Sequence, residues 1–127
     1  MSLDDLFVKY RKLAIAYGQA SEACVASRTN KALDALMELR GELRRARAEH
    51  EQEVHQRLLQ LLDDDDLFVR LSAGTDALRI SPGDAERILE AIAERPRGMA
   101  SHEATVVLRL WREGKFTVPW WDEESDA

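Results

Sequence analysis

Asp63-Asp64-Asp65-Asp66-Leu67-Phe68-Val69-Arg70-Leu71-Ser72-Ala73 is the stretch on which the fold turns. Four adjacent carboxylates repel one another inside a helix. One or two of them are favoured where a helix starts, because unpaired backbone N–H groups and the positive end of the helix dipole meet them there. The aspartates therefore read as punctuation. They close a helix at Leu58-Leu59-Gln60-Leu61-Leu62 and open another that runs from about Asp66 to Ile80. Val69, Ala73, Ala77 and Ile80 recur at spacings of three and four and mark its buried stripe, which Leu71 and Leu78 broaden.

Toward the C-terminus, Ser81-Pro82-Gly83-Asp84 is a sharp stop and restart, with Ser81 as cap, Pro82 as first helical residue and Asp84 completing the capping pair. Ala85, Ile88, Leu89 and Ile92 define the helix that follows, and Pro96 and Gly98 close it. The next starts near Ser101 and carries Ala104, Val107, Leu108 and Trp111 to about Gly114. Toward the N-terminus, Val54, Leu58, Leu59, Leu61 and Leu62 mark a helix from about Gln52. Before it, Thr29-Asn30 caps one that reaches about Ala48 on Ala32, Leu33, Leu36, Met37, Leu39 and Leu43. The break between these two segments has no clear residue. The first helix spans Leu3 to Ser27, started by Ser2 and Asp5 and weakened by Gly18 inside it. No segment alternates with period two, so the expectation is an all-α chain of about six helices with short connections and antiparallel neighbours.

Six helices in three pairs give about 40 residues per pair, near the repeat length of HEAT and armadillo proteins. The stretch Asp65 to Ala73 resembles the inter-helix turn and second-helix start of a HEAT repeat, D-x-x-x-V-R-x-x-A. That resemblance implies that Val69 and Ala73 are core contacts and that Arg70 and the aspartates brace the turn. From about Leu58 to Phe116 the chain resembles a small bacterial HEAT-like helical-repeat family of unknown function. The matching elements are the aspartate stretch, Ala85-Glu86-Arg87-Ile88-Leu89 after the proline turn, and Leu108-Arg109-Leu110-Trp111-Arg112-Glu113-Gly114. The resemblance implies an α–α superhelix of three HEAT-like hairpins over residues 1–116, followed by an acidic, Trp-containing tail at 117–127. It brings no assigned activity and no catalytic residue.

The chain's 127 residues suit one domain, and 45% hydrophobic against 33% charged residues is enough to fill a core. A formal net charge of −6 argues against a nucleic-acid binder. The lone Cys24 makes no internal disulfide, which suggests a reducing cytoplasm, and its place on the first apolar face makes it a core thiol. No apolar run nears the ~20 residues of a membrane span, and the acidic start is unlike a signal peptide.

Chemistry is hard to find in this sequence. His50 and His55 stand five apart, about 140° around a helix, so they do not share a metal as an H-E-x-x-H pair does. Both read as surface histidines. The aspartate run lacks the spacing of a calcium loop, and no glycine-rich phosphate cradle is present. No metal, cofactor or catalytic residue is expected. Arg40, Arg44, Arg45 and Arg47 form a basic patch, but Glu38, Glu42, Glu49, Glu51 and Glu53 interleave with it, and Glu38 and Glu42 read as helix-stabilising partners of the neighbouring arginines. The tail sets Trp120 and Trp121 beside Asp122, Glu123 and Glu124, a combination suited either to closing the core or to binding a partner. The sequence therefore points to a non-catalytic protein–protein interaction module. Its concrete form is an immunity-type or antitoxin-like protein that occupies a basic toxin or effector. A HEAT-like nucleic-acid-binding or DNA-repair protein, and a scaffold or regulatory subunit, are the alternatives.

Overall fold

The computed structural model describes residues 2–96 and 98–120. Helix α1 covers Leu3–Glu22, and Ser2 Oγ caps it by accepting from the Asp5 N–H at 3.1 Å. It ends five residues earlier than its apolar pattern predicts. Cys24 N–H bonds the Ser21 carbonyl and Val25 N–H reaches back to the Ala20 carbonyl, the paired bonds of a Schellman turn. That turn requires a left-handed residue at Cys24, whose φ is +57°. Cys24 is consequently exposed rather than a core thiol, because the turn rotates it off the apolar face.

Helix α2 runs Ala26–Gln60, and residue His50 alone departs from helical geometry (φ −134°, ψ 49°). The two helices expected on either side of position 50 therefore follow one another with only the kink at His50 between them, and are counted together as α2. Thr29-Asn30 does not start it: Thr29 lies in the first turn and bonds back to the Val25 carbonyl. A 3₁₀ turn, Leu61–Asp63, leads to α3 at Leu67–Asp76, α4 at Pro82–Ala93 and α5 at Met99–Arg112. Among the described residues there are five α-helices and no strand, where about six helices were expected.

The aspartate run does the work its sequence suggested. Asp66 accepts from the N–H groups of Phe68 and Val69 at 2.9 and 3.0 Å. Asp64 accepts from Asp66 N–H and holds Arg11 of α1 at 2.8 Å. Arg70 braces the turn by donating to the carbonyls of Asp64 and Asp65 at 2.7 and 3.1 Å. The Arg11 guanidinium keeps the Asp64 carboxyl below the usual carboxylate range.

Helix α3 is the centre of the molecule. From Phe68 to Leu78 every residue except Arg70 is buried, against α1, α2, α4 and α5. A helix buried all round needs close neighbours, which explains Gly18. A Cβ there would fall 2.4 Å from the Phe68 ring, so the glycine that weakens α1 locally is what admits α3. Helix α5 closes on a second Schellman turn, this time with Gly114 at φ +71°. The chain then returns across the body, and Val118 and Trp120 are each only 1% exposed.

Candidate functional site

Three helices bring one polar group each, or two, to a single point in the core. Tyr10 comes from α1, Arg40 from α2, and Ser72 and Asp76 from one face of α3, four residues apart. Asp76 Oδ2 accepts from the Tyr10 hydroxyl at 2.5 Å and from Arg40 Nε at 2.9 Å. Arg40 Nη2 donates to Ser72 Oγ at 3.0 Å. Tyr10 has one proton and gives it to Asp76, so the 2.7 Å bond between Tyr10 and Ser72 runs from Ser72 to the phenol oxygen. Trp120 completes the cluster by donating its indole N–H to the Asp76 backbone carbonyl at 2.8 Å. One residue of α3 therefore ties down α1, α2 and the returning C-terminal segment.

Burial governs the electrostatics. It pushes the Asp76 carboxyl up, against the opposing pull of Arg40 and Tyr10. The Tyr10 phenol rises well above its ordinary value from burial and from the neighbouring Asp76 charge. Burial works against the Arg40 charge, yet Asp76 and Tyr10 more than offset it and keep the guanidinium protonated. Among the described residues, Asp76 Oδ1 is buried without a donor. Removing one partner of such a pair strands a charge in the core and costs about 3–5 kcal/mol.

Arg40 and Ser72 also form the buried end of a cleft of about 240 Å³ between α1, α2, α3, α5 and the C-terminal segment. Its walls are apolar, with Phe116 and Pro119 contributed by the returning chain. Leu33 and Met37 of α2 stand on its lip, 38% and 44% exposed. Tyr17 and Glu103 line it as well and bond each other at 2.5 Å. Burial and that bond push the Tyr17 phenol up to about 12.

The residues singled out by sequence fare differently. Trp120 is buried, with Arg47 5.2 Å from its ring centroid and His55 set edge-on at 6.4 Å. His55 is thus not a plain surface histidine, and burial depresses its pKa. His50 is exposed at the kink. Trp121, Asp122, Glu123 and Glu124 lie outside the described residues. The arginine patch is divided: Arg40 is in the core, Arg47 lies against Trp120, and Arg44 and Arg45 are exposed. Arg40 and Asp76 were not anticipated as a pair. The available signal was register, since Arg40 sits in the stripe Leu36, Leu39, Leu43, and Asp76 sits beside Ala73 and Ala77. A charge in a core register asks for an opposite charge in another.

Among the described residues no three His, Cys, Asp or Glu side chains gather where a metal ion could be held. No helix among them is long and apolar enough to cross a membrane.

Fold and site together define a small all-helical domain with a buried polar centre joined by hydrogen bonds among Tyr10, Arg40, Ser72 and Asp76 and an apolar cleft above it. The chain belongs to the family described as Domain of unknown function (DUF2019), whose model matches residues 4–111. It is also similar to the crystal structure of protein RPA1889 from Rhodopseudomonas palustris CGA009. The two share 26% identity at a TM-score of 0.78, over 92% of this chain and 93% of that one. No curated protein matches the sequence.

Proposed function

We propose that this protein is a non-catalytic, cytoplasmic protein-binding module whose contact surface is the cleft lipped by Leu33 and Met37. The observation that carries the reading is the pairing of these two exposed apolar side chains with an apolar cleft beside them. Exposed hydrophobic surface rimmed by polar groups marks interaction sites and ligand-binding grooves. The charged groups beneath are spent on one another: Arg40 and Ser72 bond each other, and Asp76 and Tyr10 complete the set. A nucleophile, its base and an open place for substrate are what an active site would need.

The neighbours α1–α2, α3–α4 and α4–α5 pack in chain order, which supports a HEAT-like stack of hairpins as the architectural frame. In such a stack an extended face is offered to a partner. Net charge −6 favours a basic partner, and a toxin or effector held in an inactive complex is the first class to examine. The exposed thiol of Cys24 suits a reducing compartment. A nucleic-acid role loses ground, because two of the four clustered arginines face inward or lie under Trp120.

The test is affinity capture from extract of the source organism, with wild type and the double variant Leu33→Asp, Met37→Asp compared by mass spectrometry. A partner that is recovered by the wild type and lost with the variant, at an unchanged melting curve, supports the cleft. Recovery by both proteins rejects it.

A further inference from the structure

The polar centre leaves one arm of its cation outside the network. Arg40 Nε holds Asp76 and Nη2 donates to Ser72, whereas Nη1 donates to the thioether sulfur of Met37 at 3.6 Å. A thioether is a weak acceptor, and a buried guanidinium N–H gains more from an oxygen. Arg40 is only 6% exposed and sits on the floor of the cleft, while Met37 stands on its lip. The Met37 side chain therefore reaches from lip to floor and stops the donor that the floor presents. An unbranched thioether chain at an exposed position changes rotamer readily.

The rest of the cleft defines the kind of molecule that would replace that sulfur. Other hydroxyls in its walls have spent their protons: Ser72 on Tyr10, Thr75 on the Leu71 carbonyl and Tyr17 on Glu103. A ligand must therefore bring an acceptor to Arg40. That acceptor is uncharged, because Asp76 already matches Arg40 and Glu103 places a second carboxylate on the wall. Its body is flat and apolar, to lie among the rings of Tyr17, Phe68 and Phe116. Volume limits its size. A dry cavity of roughly 150 Å³ holds one benzene, so about 240 Å³ takes a single ring with roughly three or four further heavy atoms.

We propose that the cleft binds a small, uncharged aromatic carbonyl compound whose oxygen replaces the Met37 sulfur on Arg40 Nη1, with Met37 as the gate it displaces. The proposal goes beyond protein binding, since the ligand occupies the cleft itself and needs no partner at the lip.

Three probes of one shape test it: acetophenone carries the carbonyl, α-methylstyrene a methylene in its place, and benzoate a carboxylate. Each is titrated by NMR into the full chain with isotope-labelled methionine methyls and backbone amides. The Met37 methyl signal is assigned by its absence from Met37→Leu. Acetophenone should shift that signal to saturation and bind about tenfold more tightly than α-methylstyrene, the effect of one hydrogen bond of ordinary strength. Benzoate should bind more weakly than acetophenone. Met37→Leu keeps the bulk and removes the sulfur, so its preference for acetophenone over α-methylstyrene should widen. No shift at Met37 with acetophenone up to its solubility limit overturns the proposal. So do equal binding of the hydrocarbon, tighter binding of benzoate, and a preference unchanged in Met37→Leu. The protein-binding reading fails separately, by partner capture with its own variant.

Discussion

The C-terminal half of α2, around Arg47 and His55, lies against the indole of Trp120, whereas the N-terminal half carries Leu33 and Met37 out to solvent. Both halves belong to the same 35-residue helix and both repeat apolar residues at helical spacing. The difference is what the chain sends back to cover them. Even with its kink at His50, a 35-residue helix has more length than the 20-residue α1 can flank. The returning segment after Gly114 buries Trp120 against one half, whereas on the other its Phe116 and Pro119 only wall a cleft and leave Leu33 and Met37 exposed. Surface that the chain covers itself contributes to stability; surface it leaves bare is available for recognition.

The sharpest way to break this comparison is at Arg40, near the junction of the two halves. Arg40→Ala leaves Asp76 buried with no cation and should cost about 3–5 kcal/mol in urea unfolding. Replacing Arg40 and Asp76 together by leucine should recover much of that loss, since the cost lies in the stranded charge. Trp120→Ala comes next. Its side chain is almost fully buried, so its loss should cost about 3 kcal/mol and uncover Arg47 and His55. A small effect there would mean that the C-terminal half of α2 is not covered as described.

A smaller effect of opposite sign is expected at the entry to the bare half. Cys24 occupies the left-handed position that Gly114 fills in the matching turn of α5. Cys24→Gly should stabilise by up to about 1 kcal/mol, because relief of backbone strain outweighs the added freedom of the unfolded chain. Calorimetry should show a rise of roughly 3–5 °C. The smallest change belongs to the lip of the cleft. Leu33→Ser with Met37→Ser should move stability by no more than about 0.5 kcal/mol, as expected of exposed side chains. A large loss would show that this half is part of the core after all.

Several features were legible because they depend on neighbours in the chain. Ser2 and Asp66 mark helix starts by capping chemistry that needs only the next three residues, and Pro82 marks one by its preset φ at the first helical position. Val69, Ala73 and Leu89 were readable as core because their stripe repeats every turn, and each is fully buried. Other positions misled for the same reason. Thr29-Asn30 has the composition of a cap, but the Schellman turn at Cys24 had already restarted the chain four residues earlier. Gly18 looked like a local weakness. Arg40 looked like one of four surface arginines.

What the sequence determined by itself is therefore the all-helical character, the starts of α1, α3 and α4, and most of the apolar faces they would bury, since propensity, capping and periodicity act over one or two turns. Only the tertiary structure decided that Phe68 would press on Gly18, that Arg40 would meet Asp76 and Tyr10, and that Trp120 would cover one half of α2 and not the other. Those outcomes join residues 36, 50, 66 and 73 positions apart. A buried charge or a close approach has no local signature. It is specified by which faces meet, and that follows from packing the whole chain around α3.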